Sequence, residues 1–234
     1  MKKIYISLSL IVVLISCRSS REVYLKNDFY TITSPIEKIA ILPFQVRIED
    51  RIGKNERRLP PKEDLQSELS ESYQEGFYTY LLGELQRRKK RRNIAIQDAS
   101  RTRRILQEKG IEFEDLENMT SGDICKILDV DAVVRGGYGQ KQLMSYEASA
   151  AIITGTRIIE TIVNRNNNAI INPAPAARSH EVSLGVSIYS NKNDLLLWRY
   201  GYGSGASAAY SVGNAADRLF TRAVRLFPYR TKKY

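Results

Sequence analysis

The chain has 234 residues, of which 43% are hydrophobic, and it carries a formal net charge of +10 at pH 7. This length suits one domain, or one domain with an elaborated insertion, and it allows a substantial core. The two cysteines, Cys17 and Cys125, permit at most one disulfide. A small fold held together by several disulfides is therefore excluded.

The amino terminus has the layout of an export signal. Lys2 and Lys3 form a short positive start, residues 4–15 are mostly apolar, and the small Ser16 precedes Cys17. The apolar run is about a dozen residues long, whereas a membrane-spanning helix needs roughly 20. A signal peptide over residues 1–16 is therefore predicted, and a retained transmembrane anchor is not expected.

The sequence LISC, from Leu14 to Cys17, resembles the lipobox of bacterial lipoproteins. That resemblance implies cleavage before Cys17, a diacylglycerol thioether on its sulfur and an acyl chain on its new amine. No other cofactor is expected. Several acyl chains hold a protein on a bilayer, because each buried CH₂ contributes about 0.8 kcal/mol. The alternative is an ordinary secreted protein cleaved nearby, in which Cys17 is incidental.

Cleavage at this position leaves residues 17–234. The loss of Lys2 and Lys3 reduces the 36 basic side chains to 34, against 26 acidic ones, so the formal net charge falls to +8. Residues 17–34 contain turn formers and mixed charge without a sustained period, which predicts a tether between the lipid and the domain. A single domain is predicted over residues 35–230.

The domain begins with a predicted central strand, Ile36 to Ile48, which is rich in β-branched and apolar residues and has Pro43 at its end. A polar loop over residues 49–61 follows. A long helix is then predicted over roughly residues 62–92, because apolar residues recur there at a spacing near four.

The end of this helix carries six consecutive cations. They are Arg87, Arg88, Lys89, Lys90, Arg91 and Arg92. Cations at the carboxyl end complement the helix macrodipole, so a solvated helix end is one interpretation. Contact with anionic lipid headgroups or with an acidic partner is the other. A nucleic-acid partner is not expected for an exported lipoprotein.

The next hundred residues or so predict a sheet covered by helices. A short strand at 93–97 and a buried strand at 131–139 enclose helical segments, the last of which Ser121 or Asp123 can cap. Cys125 is expected to be a small buried residue of that last helix. The expected fold class is α/β, with a central mixed β-sheet covered by helices, a C-terminal β-hairpin and a closing helix.

The C-terminal hairpin gives the clearest strand signal. From Val182 to Ile188 every second residue is apolar, and after a turn the returning strand carries Trp198 as a large anchor. Residues 201–211 are predicted to form a flexible passage of small residues. A closing helix over 213–227 has an apolar stripe that should dock on the sheet.

Catalytic and metal-binding patterns are weak. The only histidine, His180, has no cysteine or second histidine near it in sequence, and a zinc site needs several such ligands. The segment GYGSGA, which starts at Gly201, has a dinucleotide-like glycine spacing, but no βαβ unit follows it. No catalytic residue and no metal site are therefore expected. A hydrolase that uses His180 is a residual alternative.

Four segments resemble, in order, a superfamily of envelope lipoproteins. They are KIAILPF, RILQEKGI, ILDVDAVVRGGYG and VSLGVSIYSNKNDLLLWRY. The superfamily includes the curli secretion channel subunit, an activator of penicillin-binding proteins and the amino-terminal domain of the translocation protein TolB. The resemblance covers roughly residues 36–227. Each segment alone is a common local pattern, so their order behind a lipobox carries the resemblance.

The segment Glu147 to Val163 separates two further hypotheses. In the channel branch of the superfamily, long hairpins from each subunit build a membrane pore, and the corresponding stretch here, about residues 140–178, is compact. Apolar residues in the segment follow a helical spacing and alternate poorly as strands, whereas a lipid-facing barrel strand needs clean alternation. A packed amphipathic helix is predicted, and a pore hairpin is the alternative.

The resemblance implies a lipid-anchored envelope protein that binds other envelope proteins and serves secretion or assembly of cell-surface material, with a homo-oligomer as one form. The alternatives are a regulator that docks on a periplasmic peptidoglycan-synthesising enzyme, and a pore-forming channel subunit. Arg18 follows Cys17 without an acidic cluster, and related lipoproteins with this pattern sit in the inner leaflet of the outer membrane. The domain is therefore expected in the periplasm.

Overall fold

The computed structural model describes residues 21–49, 62–87, 94–142, 178–207 and 212–230. These residues form a mixed seven-stranded sheet with helices, so the predicted α/β fold class is confirmed. Cys17, the run 88–92 and the segment 147–163 lie outside the described residues. Within the described part, no helix is both long enough and apolar enough to cross a membrane.

The strands are β1 (Arg21–Leu25), β2 (Lys38–Ile41), β3 (Gln45–Glu49), β4 (Ala95–Gln97), β5 (Ala132–Gln142), β6 (Arg178–Ser190) and β7 (Leu196–Ser207). The helices are α1 (Phe29–Ile32), α2 (Lys62–Arg87), α3 (Ala99–Glu108), α4 (Asp115–Asn118), α5 (Ser121–Leu128) and α6 (Val212–Arg225). A 3₁₀ turn over Pro228–Arg230 ends the described chain.

The strand order is β1-β7-β6-β5-β2-β4, and β3 also pairs with β5. The pairs β2–β4, β2–β5 and β3–β5 are parallel, and the pairs β1–β7, β7–β6 and β6–β5 are antiparallel. The predicted hairpin and closing helix are therefore present as β6, β7 and α6.

The predicted single strand over 36–48 is wrong, because the chain forms two strands, β2 and β3. Both pair with β5, at Ala132–Val134 and at Gly137–Lys141 respectively. Pro43 lies in the break between them and has no N–H to donate to a neighbouring strand. The Phe44 ring next to it covers Gly136 of β5 so closely that a Cβ there would overlap the ring.

The predicted tether over residues 17–34 requires correction for residues 21–34, which belong to the domain. Strand β1 pairs with β7 along all five of its residues. Phe29 of α1 is 1% exposed, and its ring centroid lies 5.3 Å from that of Tyr229. All five residues of β1 are exposed. Neither face of the strand is buried, so its sequence lacks the alternation of apolar and polar residues from which a strand is predicted.

The two faces of the sheet hold separate hydrophobic clusters. On one face, α2 and α6 pack against apolar residues of β2, β5, β6 and β7, including the predicted alternating set from Val182 to Ile188 and Trp198. The apolar stripe of α6 is buried there, as predicted. On the other face, α3 and α5 cover β2 and the start of β5, and Cys125 is buried among them.

The cap of α5 differs from the prediction. Thr120, and not Ser121 or Asp123, is the N-cap residue, and its Oγ1 accepts a hydrogen bond of 3.1 Å from the backbone N–H of Asp123. The Thr120 hydroxyl also donates to the Asp123 carboxylate at 2.8 Å. The pair therefore satisfies a free N–H at the helix start while Asp123 adds negative charge to the first turn.

Candidate functional site

Half of the second sheet face is left uncovered by the described helices. Helices α3–α5 cover β2 and the beginning of β5, but the rest of β5 with β6 and β7 carries mostly glycine and serine on that side. These residues, which we call the open face, are Gly137, Gly139, Ser183, Gly185, Ser187, Gly201 and Gly203.

The glycines of the open face line up across strands. Gly137 pairs with Gly185, which pairs with Gly201, so one row of three strands carries no side chain at all. In the next row, Ser183 lies between Gly139 and Gly203. The sheet therefore presents a flat backbone surface there.

Packing within the described chain does not require all of these glycines. A Cβ added at Gly185 or Gly203 would meet no described atom within 4 Å. Glycine inside a strand weakens it by roughly 0.5–1 kcal/mol relative to alanine. Such glycines often mark a place where a ligand or another backbone approaches closely. Among the described residues, the open face therefore leaves room for a ligand or another backbone to approach closely.

A cleft of about 230 Å³ lies where the open face meets α4 and the chain just before it. Its floor is the backbone at Gly137 and Gly185, and its apolar walls include Phe113, Leu116 and Tyr189. The cleft therefore joins a flat floor to aromatic edges, which suits a partner with planar or apolar groups.

Arg135 provides a fixed positive charge in this cleft. Its Nε donates to Ser121 Oγ at 2.9 Å, and its two terminal nitrogens donate to the carbonyl oxygens of Leu116 and Met119, each at 2.7 Å. Burial lowers the pKa of Arg135 from its ordinary value, but an arginine stays protonated in proteins. The guanidinium therefore ties α4 and α5 to β5 and keeps this end of the cleft positive.

Arg199 provides a second guanidinium, at the margin of the open face. It donates to Ser187 Oγ at 3.3 Å and to the hydroxyl of Tyr189 at 3.4 Å. Tyr24 of β1 pairs with Arg199 in the register of β1 and β7. The resulting rim of hydroxyl and guanidinium groups can donate hydrogen bonds to hydroxyl, carbonyl or carboxylate oxygens of a partner.

Cys125 and Asp131 have structural roles in the described part of the fold. Burial raises the pKa of the Cys125 thiol to about 12, so it stays protonated and unreactive at neutral pH. Among the described residues, no group of three His, Cys, Asp or Glu could hold a metal ion. Asp131 is engaged in the fold, since its carboxylate accepts from the backbone N–H groups of Glu37 and Lys38 at 2.9 and 3.0 Å.

The structure places few of the predicted site residues. Arg87 lies in the last turn of α2, as expected, while Arg88 to Arg92 and Cys17 lie outside the described residues. His180 lies in β6, paired with Gln142 and Ala206. The prediction of a flexible passage from residue 201 is wrong as far as Ser207, because those residues pair with β6.

The sequence did contain a signal for the open face. Glycine recurs at every second position in the segments GGYGQ of β5 and GYGSG of β7, which is the period of a strand with one bare face. Apolar periodicity does not detect this pattern, because glycine carries no side chain to classify as buried or exposed.

No known family model and no curated protein matches this chain in sequence. Solved structures are similar in fold. The PelC dodecamer from Paraburkholderia phytofirmans aligns with a TM-score of 0.40 at 8% identity, over 92% of this chain and 100% of that chain. Lipoprotein GNA1162 from Neisseria meningitidis aligns with a TM-score of 0.41 at 10% identity, over 81% of this chain and 94% of that chain.

The LpoB C-terminal domain from Salmonella enterica aligns with a TM-score of 0.33 at 8% identity, over 76% of this chain and 93% of that chain. At these scores and identities the similarities carry no argument about activity or partners.

Proposed function

We propose that this protein is a lipid-anchored envelope module that stays close to the membrane and binds other envelope proteins during secretion or assembly of cell-surface material. The observation that carries the proposal is the start of β1 at Arg21, four residues after Cys17. Four extended residues span at most about 14 Å. If Cys17 is acylated, the edge of the sheet is held beside the bilayer.

The short connection separates this proposal from its main alternative. A regulator that docks on a peptidoglycan-synthesising enzyme has to reach away from the membrane, which requires a long tether. Residues 17–34 as a free tether would span up to about 60 Å, but β1 and α1 leave only residues 17–20 outside the domain. A pore-forming subunit would depend on the segment 147–163, which lies outside the described residues.

The open face is the surface on which this module would bind its partner. It is flat, and packing among the described residues does not require glycine at positions 185 and 203. The guanidiniums of Arg135 and Arg199 flank it. The partner can be another envelope protein or a second copy of this chain. The role proposed for the open face is binding, with no catalytic step and no cofactor other than the lipid on Cys17.

The proposed location is the inner leaflet of the outer membrane, with the domain in the periplasm. This location rests on the signal peptide, the lipobox and Arg18, together with the short connection to β1. A positive residue after the cysteine, without acidic neighbours, is the pattern that supports outer-membrane sorting.

The size of the particle extracted from membranes with mild detergent tests this proposal. We expect the wild type to elute well above the mass of a monomer, because the module is bound to partners or copies. A variant with 40 Gly and Ser residues inserted between Ser20 and Arg21 should lose that assembly while keeping its membrane attachment. A wild-type monomer, or full assembly by the variant with the long insertion, would support the far-reaching regulator instead.

A further inference from the structure

We propose that the outer surface of β1, together with the neighbouring basic end of α6, rests on the surface of an anionic phospholipid bilayer. This inference rests on the proposed function, because the lipid on Cys17 brings β1 to the membrane. The residues of this docking surface are Arg21, Val23 and Leu25 of β1, Tyr202 of β7, and Arg222 and Arg225 of α6.

Exposed apolar side chains concentrate in β1. Of four large hydrophobic residues exposed in the described part of the chain, three are consecutive in β1: Val23 at 45%, Tyr24 at 41% and Leu25 at 41%. Val23 and Leu25 pair with the buried Tyr200 and Trp198, so their side chains lie on the same sheet face as α6. Exposed apolar residues this close to a lipid anchor suit shallow insertion into the headgroup region.

Basic side chains lie directly beside these apolar residues. The guanidinium carbon of Arg222 lies 4.8 Å from the centroid of the Tyr202 ring, and Arg21 is paired with Tyr202 across the β1–β7 register. Arg225 follows one turn later on the exposed side of α6. In the described part of the chain, no carboxylate forms an ion pair with Arg21 or Arg222.

A buried hydroxyl lies within reach of the same two charges. Tyr200 is 0% exposed, and its hydroxyl makes no hydrogen bond within the described part of the chain. Burial raises its pKa, and the positive charges of Arg222 and Arg21 act in the opposite direction. The buried Tyr200 hydroxyl is shielded from the surface, so the exposed guanidiniums of Arg21 and Arg222 are the groups that would bind phosphate oxygens of a phospholipid headgroup.

The short chain between Cys17 and β1 is the reason for assigning the membrane to this docking surface. The connection from Cys17 to Arg21 spans at most about 14 Å, which is comparable to the Debye length of about 8–10 Å at physiological salt. This connection keeps Arg21 within about two Debye lengths of an anionic leaflet, where its charge is still attracted. A second copy of the chain, pairing with the free edge of β1, is the competing occupant that the experiment must distinguish.

The test uses the full mature, lipidated protein in vesicles of phosphatidylcholine alone or mixed with phosphatidylglycerol. An environment-sensitive dye is attached to Val23→Cys in a Cys125→Ser background, and Glu108→Cys on α3 is the matched control position. In phosphatidylglycerol vesicles we expect the dye at position 23 to shift to the blue and to be quenched by nitroxide lipids. The dye at position 108 should stay accessible to aqueous iodide in both vesicles.

Charge variants complete the test in the mature chain, residues 17–234, carrying Cys17→Ala, which lacks both the signal peptide and the lipid anchor. Each arginine close to an anionic surface contributes about fivefold in affinity, so R21Q/R222Q should weaken sedimentation with phosphatidylglycerol vesicles by about 25-fold. The control R101Q/R104Q removes two exposed charges from α3 and should change the affinity for phosphatidylglycerol vesicles less than twofold. A larger loss for R87Q/R88Q than for R21Q/R222Q would place the membrane contact at the end of α2 and overturn the proposal.

Two further outcomes contradict the proposal. Equal iodide quenching of the dyes at positions 23 and 108 in phosphatidylglycerol vesicles would mean that β1 stays in water. Burial of the dye at position 23 that depends on protein concentration and is independent of the lipid would assign β1 to a second copy. A failure of the proposed function looks different, since the wild type would then incorporate no fatty-acid label while the Cys17→Ala chain could still bind vesicles.

Discussion

Gly136 and Gly185 lie in neighbouring strands of one sheet but face opposite sides of it. Gly136 faces the helices α2 and α6, and the ring of Phe44 occupies the space that a side chain would need. Gly185 lies on the open face, where an added Cβ meets no described atom within 4 Å. The first glycine is required by packing within the chain, whereas no described atom accounts for the second, which is the reason for proposing an external partner there.

The largest expected effect follows from the covered glycine. Gly136→Ala forces a Cβ into the Phe44 ring and should lower the free energy of unfolding by about 3 kcal/mol, because an overpacked core shifts its side chains or backbone. Thermal or denaturant unfolding measures the change. Phe44→Leu in the same chain should recover part of the loss, and strict additivity of the two changes would contradict the proposed overlap.

Much of the covered part of the fold could be predicted from the sequence. The alternation from Val182 to Ile188 and the apolar stripe of α6 both arise because one side of each element is buried. Apolar periodicity in a sequence indicates burial of this kind. Strand β1 could not be predicted, because it is an edge strand with all five residues exposed. Its position depends on hydrogen bonds to β7, which are distant in sequence.

The candidate site was less predictable for a related physical reason. Arg135 donates hydrogen bonds to the carbonyl oxygens of Leu116 and Met119. Every residue has a backbone carbonyl, so the residue types do not indicate which of them Arg135 contacts. The segment from Gly201 suggested a loop because glycine disfavours strands, but pairing with β6 overrides that preference. Only the alternating glycines hinted at a bare sheet face.

Arg135 lies at the boundary between the covered half and the open half of the second sheet face. Its removal should give the second-largest loss of stability. Arg135→Met leaves the carbonyl groups of Leu116 and Met119 and the Ser121 hydroxyl without a donor, which should cost about 2 kcal/mol of stability. Arg135→Lys is the matched control, since it keeps the charge and loses the planar fork. Equal stability of wild type and Arg135→Met in denaturant unfolding would contradict a structural role for these bonds.

The smallest effect on stability should come from the open face. Gly185→Ala is expected to leave the free energy of unfolding unchanged or to raise it by up to about 1 kcal/mol, because alanine suits a strand better than glycine. The same change should reduce the size of the particle extracted from membranes, since the added methyl group stands where a partner would approach. A large loss of stability, or an unchanged particle, would remove the reason for regarding the open face as a docking surface.

The central claim is that Cys17 carries the lipid and holds the sheet edge within a few residues of the membrane. The intact mass of the protein purified from cell envelopes tests it most directly. The predicted mass corresponds to a chain that begins at Cys17 and carries a diacylglycerol and one further acyl chain, while Cys17→Ala lacks these groups and Cys125→Ser keeps them. A mature chain that begins elsewhere, or that begins at Cys17 without added lipid, would contradict the account.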